Sequence, residues 1–140
     1  MNKLRGQIAR LTTSGSITLV DVDVGDTRMM AIAIGMPEKI GYLRTHIDIE
    51  LLFNESEVSI GKPGSEQISL NNQLACTVES LILGEILSQV ILSFDGERLT
   101  SLITTRSVKR LELKAGDRVT AFIKTNEVLL REPDGAGSAD

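Results

Sequence analysis

Slid against itself by 70 positions, the chain aligns without a gap. Leu4 falls on Leu74, Leu11 on Leu81, Val20 on Val90, Arg28 on Arg98, Leu43 on Leu113, and Glu57-Val58 on Glu127-Val128. Identity is low, but apolar positions agree more widely: Ile8 with Val78, Ile17 with Leu87, Val22 with Leu92, Ile49 with Val119 and Phe53 with Ile123. A repeat of this length constrains the fold more than any local pattern, because the chain becomes two versions of one small unit. Each version has about 70 of the 140 residues. Units of that size bury little core alone and gain from packing on each other or on partner chains.

The joint between the copies is GKPGSEQIS, residues 61–69, rich in the Gly, Pro and Ser expected of a connection. The expected division is a first unit over 1–63, a linker over 64–68, a second unit over 69–132, and a small, polar, disordered tail over 133–140.

Each copy reads as strands. Ile17, Leu19, Val20, Val22 and Val24 stand close to period two, as do Ile86, Val90, Leu92 and Phe94 in the second copy. Gly25-Asp26 and Asp95-Gly96 are two-residue turns, so hairpins return along 28–34 and 98–104. The stretch 107–113 suits one or two helical turns ending at Ala115-Gly116. Final strands over 48–54 and 118–124 continue, after a kink, into 57–60 and 127–130. The fold class is therefore all-β: two tandem OB-like small barrels, each with five short strands and a short helix.

Composition narrows the function. The net charge of -4 offers no basic field for nucleic acid or an anionic membrane. With no Trp, one Tyr and three Phe, little is available to stack bases. Cys76 and His46 are the only thiol and imidazole, too few for a zinc site or an internal disulfide. No apolar run approaches the roughly 20 residues of a membrane span, and the first residues carry no signal-peptide pattern, so a cytoplasmic protein is expected. No nucleophile motif supports an enzyme.

The second copy opens with SLNNQL (69–74) and closes with LTSLITTRSVKRLELKAGDRVTAFIKTNEVLL (99–130). This resembles the molbindin family, whose domains are also called Mop or TOBE domains. The family pattern runs roughly S-A-R-N-x-L-x-G, then L-T-x-x-I-T-x-x-S-V-x-x-L-x-L-x-x-G-x-x-V-x-A-x-I-K-x-x-x-V. Ser69, Asn72, Leu74, Thr100, Ile103, Thr104, Ser107, Val108, Leu111, Leu113, Gly116, Val119, Ala121, Ile123, Lys124 and Val128 match it. Two such units in one chain are similar to the tandem form of the family.

The resemblance implies a binder of molybdate, and often tungstate, at interfaces within a homo-oligomer, with a trimer favoured. It implies storage, buffering or homeostasis of the oxyanion, no organic cofactor and no turnover. Carried over by position, the oxyanion-binding residues are Ser69, Leu70 and Asn71, largely through backbone N–H groups, with Thr104, Ser107 and Lys124. The chemistry agrees: a tetrahedral dianion has only acceptor oxygens. Backbone amides, Ser and Thr hydroxyls and one rotatable ammonium supply donors and part of the countercharge. A helix starting near Ser107 adds free N–H groups and its positive end.

The first copy departs from this set. Asn54 stands for Lys124, Ile34 for Thr104 and Pro37 for Ser107, so three donors vanish together while the apolar skeleton persists. The first unit reads as scaffold. The second copy departs too: the family arginine is Asn71 and its glycine is Cys76. A Mop-like regulatory or interaction scaffold that has lost the ion site is therefore the alternative. Cys76 is expected buried and His46 exposed in a turn.

Overall fold

The computed structural model describes residues 1–35, 37–38 and 40–133. Each copy contributes one long strand, a hairpin and two later strands. In the first copy these are β1 (Asn2–Ser14), β2 (Ile17–Val24), β3 (Thr27–Ile34), β4 (Asp48–Phe53) and β5 (Ser59–Gly61). In the second they are β6 (Asn72–Ile82), β7 (Leu87–Phe94), β8 (Glu97–Thr104), β9 (Arg118–Ile123) and β10 (Leu129–Arg131), with helix α1 (Thr105–Arg110) between β8 and β9. A 3-10 turn precedes each last strand, at Glu55–Glu57 and Thr125–Glu127, and forms the expected kink.

The strands form two five-stranded sheets, ordered β10-β4-β1-β2-β3 and β5-β9-β6-β7-β8. In the second, β6 serves two neighbours: residues 72–77 pair with β9 and 77–82 with β7, and the register shifts between Val78 and Ser80. A shift of this kind adds a residue on one strand, bends it and increases its twist, which lets one long strand turn a barrel corner. β1 has the same shift between Ile8 and Arg10. The bend is pinned alike in both: Ile8 N–H donates to Ile47 O (2.9 Å), and Val78 N–H to Asp117 O (2.9 Å). At 13 and 11 residues, β1 and β6 are longer than the short strands expected from sequence, because each spans two pairings.

The compact units do not coincide with the consecutive repeats. One, the β6 unit, contains Met1–Asn2 and Phe53–Lys124; the other, the β1 unit, contains Lys3–Leu52 with the chain from Thr125 onward. The cause is an exchange of last strands. β5 of the first copy pairs with β9 of the second, and β10 of the second pairs with β4 of the first. The boundaries expected at 63 and 69 are accordingly replaced by crossings at 52/53 and 124/125. The tail expected over 133–140 falls, apart from Pro133, outside the described residues.

In the β6 unit, alternate residues Val119, Ala121 and Ile123 of β9 meet Leu74, Cys76 and Val78 of β6 and Val90, Leu92 and Leu99 of the hairpin, all buried. Phe53 and Val58, from the first copy, complete this core. Ser101 on β8 donates to the Val58 carbonyl at 2.6 Å and helps to close the barrel. In the β1 unit, Leu4, Ile8, Val20, Val22, Met29, Ala31, Ile49 and Leu51 do the same work.

The exchanged strands are held by different chemistry. Arg131 on β10 grips Glu50 on β4, with Nε and Nη2 at 2.9 and 2.8 Å from Oε1. Lys3 and Arg5 stand 3.7 and 3.8 Å from the other carboxylate oxygen. Their stems leave Glu50 only 1% exposed. In the repeat, Glu50 corresponds to Thr120 and Arg131 to Gly61. There, Thr120 Oγ1 donates to Glu66 at 2.7 Å. Residues 62–70 thus form a strap folded over the outer face of β9. They are not the free linker that their composition suggests.

The helix is found in the second copy. The described residues between β3 and β4 of the first copy form turns. Ile34 cannot cap a helix as Thr104 does, and Gly35 occupies its first position, at φ 126°. His46 is exposed at φ 67°, where the second copy has Gly116 at φ 93°. Among the described residues, no helix is long and apolar enough to cross a membrane.

Candidate oxyanion site

The six candidate residues fall into two groups. The first lies at the start of β6. Ser69 and Asn71 are exposed and Leu70 is half-buried. The last β6–β9 pair is Asn72 with Ile123, so Asn71 and Lys124 stand one step beyond it, opposite each other on adjacent segments of the same chain. Lys124 is exposed and, among the described residues, has no carboxylate within ion-pair distance.

The second group lies where β8 runs into α1. Thr104 is the helix cap: its Oγ1 accepts from Ser107 N–H at 3.0 Å and donates to Ser107 Oγ at 2.9 Å. The helix begins two residues before the expected Ser107, and the Ser107 amide is spent on the cap. What this corner offers a ligand is the remaining Ser107 O–H. Thr104 also lines a hollow with Glu85, Ile86 and Arg106, and Ser107 lines one with Ser59, Ile60, Ile103, Arg110 and Leu111. Two guanidinium groups thus stand near the two hydroxyls.

The two groups occupy different places in the register. Thr104 pairs with Leu87 at the beginning of β7, beyond the Ile82–Gln89 pair that ends the β6–β7 ladder. Lys124 adjoins the other end of β6. Ser69, Leu70, Asn71 and Lys124 lie at the Asn72–Ile123 end of the β6–β9 ladder and Thr104 and Ser107 at the start of α1, and among the described residues no hydrogen bond or ion pair joins the two groups.

Other residues build these corners without any signal that a motif search would catch. Thr105 and Ser88, both buried, share a 2.7 Å hydroxyl bond, and Thr105 Oγ1 donates to Gly84 O at 2.8 Å. This anchors the start of α1 to the β6–β7 hairpin. Gln73 Nε2 donates to both Glu66 O and Leu70 O at 2.9 Å. Glu66 is held below the usual carboxylate range, first by the Thr120 hydroxyl and then by the Gly64 amide. Cys76 is buried and its thiol is pushed up to about 11 by that burial.

In the first copy, the corner matching Lys124-Thr125 is Asn54-Glu55. Asn54 is exposed and its side chain makes no cap bond. Ile34 is 74% exposed. Lys124 and Thr125 are thus replaced by an amide and by a carboxylate that is paired with the N-terminal ammonium at 2.7 Å.

Two small OB-like barrels in one chain, built of two five-stranded sheets, define the fold class. The TOBE domain model matches residues 68–130. The chain is 39% identical over 64 residues to molybdenum-pterin-binding protein 1 of Clostridium pasteurianum, 45% of this chain and 94% of that protein. It is 32% identical over 111 residues to the molybdenum import ATP-binding protein ModC of Brucella abortus, 79% of this chain but 29% of that relative's length. The solved structure of the cytoplasmic molybdate-binding protein ModG, with molybdate bound, superposes with a TM-score of 0.86 at 24% identity, covering 94% of this chain and 96% of that one. The likeness to ModG establishes the fold of the pair of barrels. The chain belongs to the molbindin family of Mop/TOBE-domain proteins, in its tandem form.

Proposed function

We propose that this chain binds molybdate or tungstate as an intact oxyanion and serves to store or buffer it in the cytoplasm, without turnover. The donors are the backbone of Ser69, Leu70 and Asn71, the hydroxyl of Ser107, which the Thr104 hydroxyl orients, and the ammonium of Lys124. One observation carries the reading: Lys124, exposed and without a carboxylate partner among the described residues, stands one step beyond the Asn72–Ile123 pair, opposite Asn71, at the edge of a barrel of this family. The relatives support the ion, since their names describe molybdenum-pterin binding, molybdenum import and molybdate binding.

The two donor groups share no hydrogen bond or ion pair among the described residues, which favours sites completed by a second copy of the chain, in a homo-oligomer, with a trimer expected. Each anion then receives the ammonium and amides from one surface and the hydroxyl from another. Arg106, exposed beside Thr104, supplies a cation in place of the family arginine that is Asn71 here.

Complementation tests the sharing. Lys124→Ala and a Thr104→Val/Ser107→Ala double variant each lose molybdate binding. Mixed, refolded oligomers of the two regain a fraction of the sites. No recovery, with mixed assemblies confirmed by native mass spectrometry, rejects shared sites. The absence of the family arginine favours a second reading, an interaction scaffold without an ion. On that reading wild-type oligomers take up no molybdate at all.

A further inference from the structure

We infer that Gln73 is the positioning residue of the oxyanion corner: its side-chain amide sets the direction of the Asn71 backbone N–H. This rests on the proposed oxyanion reading and adds a residue that touches no ligand.

Both N–H donors of the Gln73 amide are engaged, one on Glu66 O and one on Leu70 O, each at 2.9 Å. Leu70 C=O and Asn71 N–H belong to one trans peptide plane and point in opposite directions. Drawing the Leu70 carbonyl toward Gln73 therefore turns the Asn71 N–H the other way. Glu66, the second anchor, is itself fixed. Its carbonyl accepts from Ile68 N–H at 2.9 Å, and its carboxylate accepts from Gly64 N–H at 2.9 Å and Thr120 Oγ1 at 2.7 Å. The Lys62–Asp117 contact at 3.4 Å and Ser65 Oγ on Lys62 O at 2.6 Å hold the start of the strap. Just before the strap, Gly61 at the end of β5 lies so close to β9 that an added Cβ would stand 2.7 Å from the Phe122 ring.

The arrangement suits anion binding because it is preorganised and adds no charge. A backbone donor held in one direction before the ion arrives avoids the ordering cost on binding. The first copy lacks it: Lys3 stands at the Gln73 position, with its ammonium near Glu50, and Glu50 stands at the Thr120 position. The pin occurs only in the copy that keeps the donors.

The test uses the full chain, Gln73→Met and Thr120→Val, with sodium molybdate as the probe. Gln73→Met keeps the length of the side chain and removes both donors. The inference expects molybdate affinity to fall about tenfold or more, and the Asn71 amide order parameter in the ligand-free protein to drop from the rigid range, about 0.85, toward about 0.6. Assembly mass and melting temperature stay at wild-type values. Thr120→Val, which frees only the Glu66 carboxylate, gives a smaller loss in the same direction and decides the matter if Gln73→Met fails to assemble. Wild-type affinity and a wild-type Asn71 order parameter in either assembled variant overturn the inference. If wild type takes no molybdate, the oxyanion reading fails, and the Asn71 order parameter alone decides whether Gln73 sets the amide.

Discussion

Ser101→Ala tests the strand exchange that builds the β6 unit. Ser101 is fully buried on β8, and its hydroxyl donates to the carbonyl of Val58, a residue of the first copy that is 1% exposed. A buried hydroxyl bond is worth about 1 kcal/mol net, and leaving a buried acceptor without its donor raises the loss to about 1–3 kcal/mol. At 2.6 Å the bond is short, and the removed atom leaves only a small gap, so a loss of about 2 kcal/mol is expected. With a urea m-value of about 1–3 kcal/mol/M, the unfolding midpoint should fall by roughly 1 M at unchanged m. Ser80→Ala, at an exposed position, serves as control and should stay within about 0.5 kcal/mol. The first copy has Ala31 at the equivalent position, so alanine fits the strand itself. A loss below about 0.5 kcal/mol for Ser101→Ala would refute the claim that this bond helps to close the barrel.

Three further outcomes follow from the structure. Glu50 is held below the usual carboxylate range, first by its Arg131 bond and then by the Lys3 and Arg5 charges against the opposing cost of burial. Its stabilisation is therefore present above the unfolded value near about 4.3 and lost as pH falls through the lower folded value. Arg131→Met moves the acid-unfolding midpoint, followed by circular dichroism, to higher pH; an unmoved midpoint contradicts the clamp. The Cys76 thiol, pushed to about 11 and buried, resists Ellman's reagent at pH 8 in the folded protein and reacts once denaturant is added. His46→Gly relieves a left-handed backbone at φ 67° and should raise the melting temperature, by about 0.5–1 kcal/mol of stability. A fall in melting temperature there would assign the imidazole a contact of its own.

The strands and hairpins were legible because their causes are local. Alternation along 17–24 and 87–94 fixes which residues face the core, and Asp95-Gly96 suits a two-residue hairpin because both adopt positive φ, at 49° and 80°. The exchange of β5 and β10 was not legible. Two copies of one pattern offer each three-residue strand two near-equivalent partners, and no periodicity distinguishes them. What differs is the pair of contacts at the joints. Glu50 with Arg131 and Thr120 with Glu66 satisfy one another in the exchanged pairing, whereas the alternative sets Glu50 against Gly61. The helix start was misplaced for a related reason. Thr104 and Ser107 are both hydroxyls at capping distance, and only the backbone reveals which accepts and which donates. The strap over 62–70 was concealed by its own composition, since the residues that fix it, Gln73 and Thr120, lie outside it. The candidate donors themselves came from the motif, but the use of the Ser107 amide and the Thr104 hydroxyl within the helix cap came from the backbone.

The most direct measurement is a calorimetric titration of molybdate, tungstate and sulfate into the assembled protein, repeated with Lys124→Ala and Asn54→Ala. The account predicts tight binding of molybdate or tungstate over sulfate, weakened by Lys124→Ala and untouched by Asn54→Ala. No heat from any of the three ions on a properly assembled oligomer, or equal losses from the two substitutions, would contradict it.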